Sequence, residues 1–213
     1  MMKLFIYEHC PFCVRARMIF GIKNIPFETV VIPEGDAETP ISMVGRKVFP
    51  ILQKEDGSYM AESMDIVHYV DAQAQPQILS GDREDERLMD WIKNITSDVY
   101  HLAIPRFTRA DFAEIATPAS RQAYIEREEK AFGKMSDLLD DTPNLLLKVN
   151  PQLQALESLL GKFNSPSIND FYLFPLLRCL TIVKGVEFGP VVEDYLSTMA
   201  NISSVDLLFD KAC

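Results

Sequence analysis

Two cysteines near the start of the chain are the residues best suited to chemistry. They stand in the run His9-Cys10-Pro11-Phe12-Cys13, after an apolar stretch that predicts a strand and before an amphipathic stretch that predicts a helix. Thiols at positions i and i+3 can meet on one helical turn. Unpaired backbone N–H groups and the positive end of the helix dipole stabilise a thiolate at a helix N-terminus. We therefore predict a redox pair in which Cys10 has a lowered pKa and Cys13 is the more buried, resolving thiol.

Residues on either side of the pair support this interpretation. Pro11 suits the first helical position, because its missing N–H would have no helical partner there. Arg15 and Arg17 add positive charge near the predicted thiolate. His9 is interpreted as a loop residue that tunes Cys10 only slightly.

Two other interpretations of the pair stay open. A Cys-x-x-Cys run is also half of a zinc site, which needs about four ligands. The other candidate ligands are scattered singly along the chain: His9, His68, His101, Cys179 and Cys213. The two cysteines could instead be buried and inert. Their place between a strand and a helix favours redox chemistry.

Two further segments carry weaker signals. Pro50 opens a predicted strand, where its missing N–H is tolerated. Ser63, which follows Glu62, is predicted to cap a helix. Alternatively, Ser63 and nearby backbone N–H groups could bind a ligand carboxylate there, with Glu62 accepting a bond from a ligand ammonium group.

The first seventy residues alternate predicted strands and helices in the order β-α-β-α-β-β-α. A strand-helix-strand unit of this length implies a parallel pair. After the segment 73–81 the strand signals stop, and helical patterns follow at about 82–104, 118–139, 144–160, 168–184 and 190–199, with breaks that include Pro105 and 161–166. Residues 167–170 predict a capping box. The fold class is therefore α/β plus all-α: a domain at 1–72, a linker at 73–81 and an all-helical domain at 82–213, with a groove between the domains as the natural ligand site.

Composition limits the possible functions. The chain has 213 residues, 47% of them hydrophobic, and a formal net charge of −10, which argues against a nucleic-acid or anionic-membrane partner. No apolar run approaches the roughly 20 residues needed to cross a membrane. The first residues lack the long apolar stretch and cleavage site of a signal peptide, so we expect a cytoplasmic protein.

Taken together, these residues resemble the bacterial two-domain glutaredoxin 2 family, which is built on the glutathione-transferase plan. The resemblance rests on the Cys-Pro-aromatic-Cys run, the proline that opens the third strand and the Glu-Ser pair after the fourth. It extends over residues 16–21, 50–54 and 62–71, and residues 167–170 resemble the capping box of the transferase helical domain. It implies a thioredoxin-like N-terminal domain followed by a glutathione-transferase-like C-terminal domain.

The resemblance also implies an activity: glutathione-dependent reduction of protein disulfides and of glutathione mixed disulfides. Cys10 would be the nucleophile and Cys13 its partner in a redox-active disulfide. Pro50 would be a cis-proline, the backbone of Phe49 would pair with the cysteinyl part of glutathione, and Glu62 and Ser63 would hold its γ-glutamyl end. Glutathione would be a co-substrate, no metal would be needed, and the protein would be a monomer. The implied glutathione-binding residues are Cys10, Pro11, Phe12, Phe49, Pro50, Glu62 and Ser63.

Two residues depart from the family pattern, and other functions stay open. Phe12 stands where tyrosine is common, which removes any role for a phenolic hydroxyl. Phe49 is bulkier than the usual valine, so only its backbone role carries over. The alternatives are a glutathione transferase or dehydroascorbate reductase on the same fold, or a non-catalytic interaction protein. A cysteine pair where most transferases place a Tyr or Ser hydroxyl favours redox exchange.

Overall fold

The computed structural model describes residues 1–161 and 163–213. Lys162 falls in the break predicted at 161–166, and that part of the prediction lies outside the described residues. The thioredoxin-like domain has the predicted order of elements: β1 Lys3–Ile6, α1 Pro11–Ile22, β2 Glu28–Val31, α2 Glu38–Val44, β3 Ile51–Gln53, β4 Tyr59–Ala61 and α3 Ser63–Gln73.

Strand β1 lies in the middle of a four-stranded sheet of order β2-β1-β3-β4. It pairs in parallel with β2, as predicted, with Leu4 opposite Thr29, and antiparallel with β3. Leu4 and Ile6 belong to the main core, whereas Phe5 belongs to a smaller cluster of buried residues. The run is continuously apolar because both faces of the strand are covered.

The C-terminal domain is all-helical: α4 Glu86–Phe107, α5 Pro118–Phe132, α6 Met135–Asp140, α7 Thr142–Leu159, α8 Asp170–Leu180 and α9 Pro190–Ser203, with 3-10 turns at Ala113–Ile115 and Phe209–Lys211. Helix α4 packs against α6, α7 and α8. Helix α1 packs against α3 in its own domain and against α8 and α9 of the other. The first helix therefore joins the cores of the two domains. Among the described residues, no helix combines the length and the apolar character needed to span a bilayer.

The prediction that Pro105 ends a helix is wrong. Helix α4 continues through Pro105 to Phe107. A proline inside a helix removes one backbone hydrogen bond and crowds the preceding turn. Here only the last turn lies beyond it, and Ile104, Pro105 and Phe107 are all buried, so packing outweighs the lost hydrogen bond.

The helix predicted over 118–139 is two helices, α5 and α6. They are separated at Gly133, whose φ of 92° and ψ of −178° lie in a region that side chains with a Cβ rarely adopt. The pattern of apolar residues continues across Gly133, which is why periodicity alone joined the two helices.

Both predicted helix caps differ in detail from the structure. Ser63 is the first residue of α3 and not its cap; the cap position belongs to Glu62, which has a φ of 72°. At α8, Asp170 Oδ2 accepts hydrogen bonds from the backbone N–H of Ser167 at 2.7 Å and from its hydroxyl at 3.0 Å. This is half of the predicted capping box, and the helix itself begins at Asp170 with Asn169 at the cap position.

Candidate active site

Cys10 occupies the cap position of α1. Its backbone is extended, with φ −68° and ψ 120°, Pro11 begins the helix, and the Cys10 carbonyl accepts the N–H of Val14 at 3.0 Å. Cys10 is half-buried, whereas Cys13, one turn on, has no exposed surface. The structure therefore gives the cysteines the relative burial that the spacing predicts.

The two thiols differ in acidity. The pKa of Cys10 is lowered to about 7, chiefly because the Cys13 thiol donates a hydrogen bond to it. Burial opposes this effect. The charge of His9 and the backbone N–H groups of Cys13 and Phe12 also lower the pKa of Cys10. Burial raises the pKa of Cys13 well above that of an ordinary thiol. The predicted acidity of Cys10 and the predicted contribution of the helix N–H groups are thus both present, but the largest cause is the hydrogen bond from Cys13, which the sequence analysis did not name.

Arg15 instead stacks between aromatic rings. Its guanidinium lies 4.8 Å from the ring centroid of Phe12 and 4.8 Å from that of Tyr172, which belongs to the helical domain. This places Phe12 beside the other domain at the rim of the site, with 45% of its surface still exposed.

His9 lies in the loop between β1 and α1, as predicted, but the sequence does not indicate the contacts that it makes there. His9 is buried, and Oε1 of Glu114 accepts its backbone N–H at 3.0 Å and its ring Nδ1–H at 2.5 Å. Glu114 lies in the 3-10 turn of the helical domain, 105 positions away along the chain. Sequence reasoning missed this pair because neither residue stands in a motif that indicates the other.

Aromatic rings from both domains surround the His9 imidazole. Tyr7 stacks on it at 5.8 Å between ring centroids, Tyr124 meets it edge-on at 4.9 Å, and Phe107 and Phe112 lie at 5.3 and 5.9 Å. The ring is therefore held firmly next to the thiol of the following residue.

A groove of about 210 Å³ opens beside Cys10 between the two domains. The N-terminal domain and the helical domain both line it, through Tyr7, His9, Cys10, Pro11, Phe12, Tyr100, Ile104, Phe107, Tyr124, Arg127, Glu128 and Phe132. The groove lies where the sequence predicts a ligand site. It is mainly apolar, with charge concentrated at one wall.

Arg127 and Glu128 form that charged wall, and Arg127 also forms an ion pair across the domain boundary. Arg127 on α5 donates to Oε1 of the buried Glu34 at 2.5 Å and lies 2.9 Å from Glu128. Its guanidinium also lies over the rings of Tyr7 and Tyr124, at 5.8 and 5.4 Å. Burial raises the pKa of Tyr7 far above its ordinary value, and the negative charge of Glu34 adds to this effect. The Tyr7 phenol therefore stays protonated at neutral pH.

The structure brings Phe49 to the same side of the molecule as Cys10. The Phe49–Pro50 peptide bond is cis, as the resemblance implies. The Phe49 ring lies 4.5 Å from that of Tyr7, and Phe49 and Cys10 pack against the same small cluster of buried residues.

Glu62 and Ser63 lie at the start of α3, which packs against α1. Ser63 is buried, and Glu62 is exposed with its carboxylate 2.6 Å from the guanidinium of Arg46. Arg46 stands in no sequence motif, so this partner was also missed. The positive φ of Glu62 turns the chain so that the first N–H groups of α3 are presented at this point.

The other cysteines lie apart from this site. Cys179 is buried in α8, where its thiol donates to the Pro175 carbonyl at 3.2 Å, and Cys213 is exposed at the C-terminus. Across residues 1–161 and 163–213, no three His, Cys, Asp or Glu side chains come together in a way that could hold a metal ion.

A Cys-x-x-Cys dithiol that opens the first helix of a thioredoxin-like domain, packed on an all-helical transferase-type domain, defines the class of two-domain glutaredoxins. Comparison with known proteins agrees. The family model for the C-terminal domain of glutaredoxin 2 matches residues 87–212, and that for the N-terminal domain of glutathione S-transferase matches residues 4–77.

Individual relatives agree over the whole chain. Glutaredoxin 2 of Escherichia coli strain K12 is 44% identical over 215 residues, covering 99% of this chain and 100% of the relative. The structure of glutaredoxin 2 from Salmonella typhimurium in complex with glutathione superposes with a TM-score of 0.96 at 42% identity, over 100% of this chain and 99% of that one. A glutathione transferase of Phanerochaete chrysosporium shares the fold, with a TM-score of 0.66 at 14% identity over 96% and 98% of the two chains.

The chain belongs to the glutaredoxin 2 family. It is a glutathione-dependent thiol–disulfide oxidoreductase.

Proposed function

We propose that Cys10 is the nucleophile of this oxidoreductase and that Cys13 is its resolving thiol. The observation that carries this assignment is the contrast between them: Cys10 is partly accessible at the groove with a pKa lowered to about 7, and Cys13 is fully buried with a raised pKa. A thiol whose pKa lies near ambient pH combines a large thiolate fraction with high nucleophilicity.

In the monothiol route the Cys10 thiolate attacks the sulfur of glutathione in a protein–glutathione mixed disulfide. The protein leaves as a thiolate that takes up a proton, and Cys10 is joined to glutathione. A second glutathione thiolate then attacks the glutathione sulfur of this bond, which releases glutathione disulfide and restores the Cys10 thiolate. The acidity of Cys10 assists both steps, because it is the attacking group in the first and the leaving group in the second.

In the dithiol route Cys10 attacks a disulfide of a protein substrate. Cys13 loses its proton and attacks Cys10, which releases the reduced protein and forms the Cys10–Cys13 disulfide. Two glutathione molecules then reduce this disulfide and leave as glutathione disulfide. Contact between Cys13 and Cys10 on one helical turn supports this route.

We propose that glutathione binds beside Cys10 along the segment from Phe49 to Ser63. The Salmonella relative, which superposes over the full length of this chain, is described in complex with glutathione. The N-terminus of α3 presents N–H groups suited to a carboxylate, and Glu62 offers an acceptor for an ammonium group. Pro11 and Phe12 line the groove next to the thiol, and the Phe49–Pro50 peptide bond just before β3 is cis.

The finer assignments follow from the same family. The proposed domains are residues 1–72 and 82–213, with 73–81 as the linker. We propose that the protein acts as a monomer on disulfide and glutathionylated proteins in the cytoplasm. The accessible Cys10 beside an open groove supports a macromolecular substrate, and a reducing compartment suits a glutathione-driven reaction.

The test is a coupled assay that follows NADPH consumption with glutathione, glutathione reductase and a glutathionylated thiol substrate. Wild type is compared with Cys10→Ser and Cys13→Ser, and each is also assayed on a protein disulfide. We expect Cys10→Ser to abolish turnover of both substrates. Cys13→Ser should retain the glutathionylated substrate and lose the protein disulfide.

Other outcomes would contradict parts of the proposal. Equal loss in both variants on the glutathionylated substrate would refute the division of labour between the thiols. Full activity in Cys10→Ser would refute Cys10 as the nucleophile. Size-exclusion chromatography with light scattering tests the monomer, and a dimer mass would overturn it.

A further inference from the structure

A single carboxylate oxygen of the helical domain fixes the residue that precedes Cys10. Oε1 of Glu114 accepts both the backbone N–H of His9, at 3.0 Å, and a hydrogen bond from its ring Nδ1, at 2.5 Å. His9 is 6% exposed and Glu114 is 0% exposed. The main chain and the ring of His9 are thus both anchored to the other domain.

Glu114 is a carboxylate at neutral pH, although it is buried. Burial alone would raise the pKa of Glu114, but the hydrogen bonds and the charge of His9 outweigh burial and lower it. A contact of 2.5 Å between a ring nitrogen and a carboxylate oxygen is short even for a charge-assisted hydrogen bond. The second oxygen, Oε2, is buried without a hydrogen-bond partner among the described residues. His9 is therefore the main group that compensates the buried charge.

Aromatic rings and charged groups of both signs face this pair. Tyr7 stacks its π-face on the imidazole, which favours positive charge there, and Glu128 on α5 also interacts with the charge of His9. Burial and the positive charge of Arg127 act in the opposite direction. The groups around the pair are Tyr7, Cys10, Cys13 and Arg17 from the N-terminal domain, and Phe107, Phe112, Tyr124, Arg127 and Glu128 from the helical domain.

We propose that Glu114 keeps His9 as an imidazolium and that this cation stabilises the Cys10 thiolate. Glu114 is then a positioning residue that acts through His9, and the helical domain sets the reactivity of a nucleophile carried by the other domain. The charge of His9 is one of the influences that favour the ionised form of Cys10. The inference rests on the proposed role of Cys10 as nucleophile.

The test is the pH dependence of Cys10 alkylation by iodoacetamide in the reduced, full-length protein carrying Glu114→Gln. Mass spectrometry of the Cys10 peptide separates its signal from those of the other thiols. If His9 is an imidazolium held by Glu114, the His9 ring loses its extra proton in the glutamine variant. Because the positive charge nearest to Cys10 is then gone, the pH midpoint of Cys10 alkylation rises. We expect a rise of about one pH unit, which is about tenfold slower alkylation at pH 6.

The opposite charge state predicts the opposite sign. If His9 is neutral, Glu114→Gln removes only a negative charge, and the midpoint falls or stays where it is. Either result would overturn the proposal. A merely structural role for Glu114 would lower the amount of folded protein without moving the midpoint of the folded fraction.

Three further variants sharpen the test. His9→Phe keeps an aromatic ring but removes the charge, so it should give the same upward shift. The double variant should shift no further than either single variant, because both act through one cation; additive shifts would contradict this. Glu8→Gln is the matched control, since Glu8 crosses the same domain boundary and accepts the N–H of Ala113 at 3.0 Å without contacting the His9 ring. It should not raise the midpoint.

A measurement on the wild type keeps the proposal testable if Glu114→Gln fails to fold. The ¹⁵N chemical shifts of the His9 ring at pH 7 should report two protonated nitrogens, and a neutral tautomer would overturn the proposal. Alkylation needs no glutathione turnover. A wild type without turnover would therefore refute the proposed function, whereas an unmoved midpoint would refute the role of Glu114.

Discussion

The two ends of helix α1 meet very different surroundings. At its first turn Cys10 is half-buried beside an interdomain groove, and the groups that act on it are a thiol, an imidazole and backbone N–H groups. At its last turn Gly21 lies against the backbone of Ser203 at the end of α9. A Cβ on Gly21 would stand 1.9 Å from the Ser203 carbonyl oxygen.

The residue that follows α1 completes the packing of this second end. Lys23 pairs with the buried carboxylate of Asp71 at 3.1 Å and donates to the carbonyls of Ala74 and Pro76, at the start of the interdomain connection. One helix thus carries reactive groups at one end and fixes the domains to each other at the other. We expect substitutions at the first end to change turnover, and substitutions at the second end to change stability.

The largest expected effect is that of Cys10→Ser at the reactive end. Turnover should be abolished, because a serine hydroxyl is not ionised at neutral pH and forms no disulfide. The midpoint of thermal unfolding should stay within about a degree of wild type, since serine has nearly the same size and shape as cysteine. Differential scanning calorimetry beside the coupled assay measures both quantities, and a large loss of stability would break the comparison.

Gly21→Ala should have the largest effect at the packing end. In an open helix this change stabilises by up to about 1 kcal/mol. Here the new methyl group meets backbone atoms of Ser203 at 1.9, 2.3 and 2.9 Å, which no side-chain rotation relieves. We expect this steric clash to outweigh the gain in helix propensity, so that the free energy of unfolding falls by about 2–3 kcal/mol.

Urea unfolding measures the change, and Gly161→Ala is the matched control, because a Cβ there has no neighbour within 4 Å in the part of the chain that the structure describes. The fraction of Gly21→Ala that stays folded should keep the specific activity of wild type. Stability equal to that of the control would show that α1 and α9 can separate at little cost, and would contradict the role assigned to this end.

Lys23→Met should cost less, about 1–3 kcal/mol, because Asp71 keeps the N–H groups of Ile78 and Leu79 at 3.0 Å each. Burial tends to raise the pKa of Asp71, but these N–H groups and Lys23 outweigh it and lower the pKa. A carboxyl with a lowered folded pKa stabilises at neutral pH, and that stabilisation is lost as the pH falls below about 4.

The difference between wild type and Lys23→Met, measured by urea unfolding, should therefore shrink between pH 7 and pH 3. Lys93→Met, at an exposed lysine, serves as the control and should show little difference at either pH. A difference that persists unchanged at pH 3 would show that Lys23 stabilises through its apolar stem and not through Asp71.

The comparison also separates what a sequence can predict from what it cannot. The reactive end is encoded by neighbouring residues: the spacing of Cys10 and Cys13, the place of Pro11 and the alternation of strands and helices are all local patterns. The order of elements and the relative burial of the thiols followed from them. The acidity of Cys10 was predicted, but its main causes involve Cys13 and His9 rather than Arg15.

Contacts between the domains could not be predicted, because they join residues with no shared pattern. The partner of His9 is 105 positions away, and the ion pair of Arg127 with Glu34 joins residues 93 positions apart. In the sequence Gly21 is an ordinary small residue of an amphipathic helix, and only the structure shows that α9 packs against it. Pro105 was misjudged for the same reason, since burial of its neighbours outweighs a local rule.

The smallest expected effect concerns the pH dependence of Cys10 alkylation, which a change at the packing end of α1 should leave unaltered. With the pKa of Cys10 lowered to about 7, its alkylation rate should rise about tenfold between pH 5 and pH 6 and level off above pH 8. The alkylation rate of an ordinary thiol, with a pKa of about 8.5, would still be rising at pH 8. Gly21→Ala changes no charged group near Cys10, so its folded fraction should keep the wild-type profile. A shifted midpoint in Gly21→Ala would show that docking at the far end of α1 also sets the environment of the thiol, and the two ends would then act as one unit.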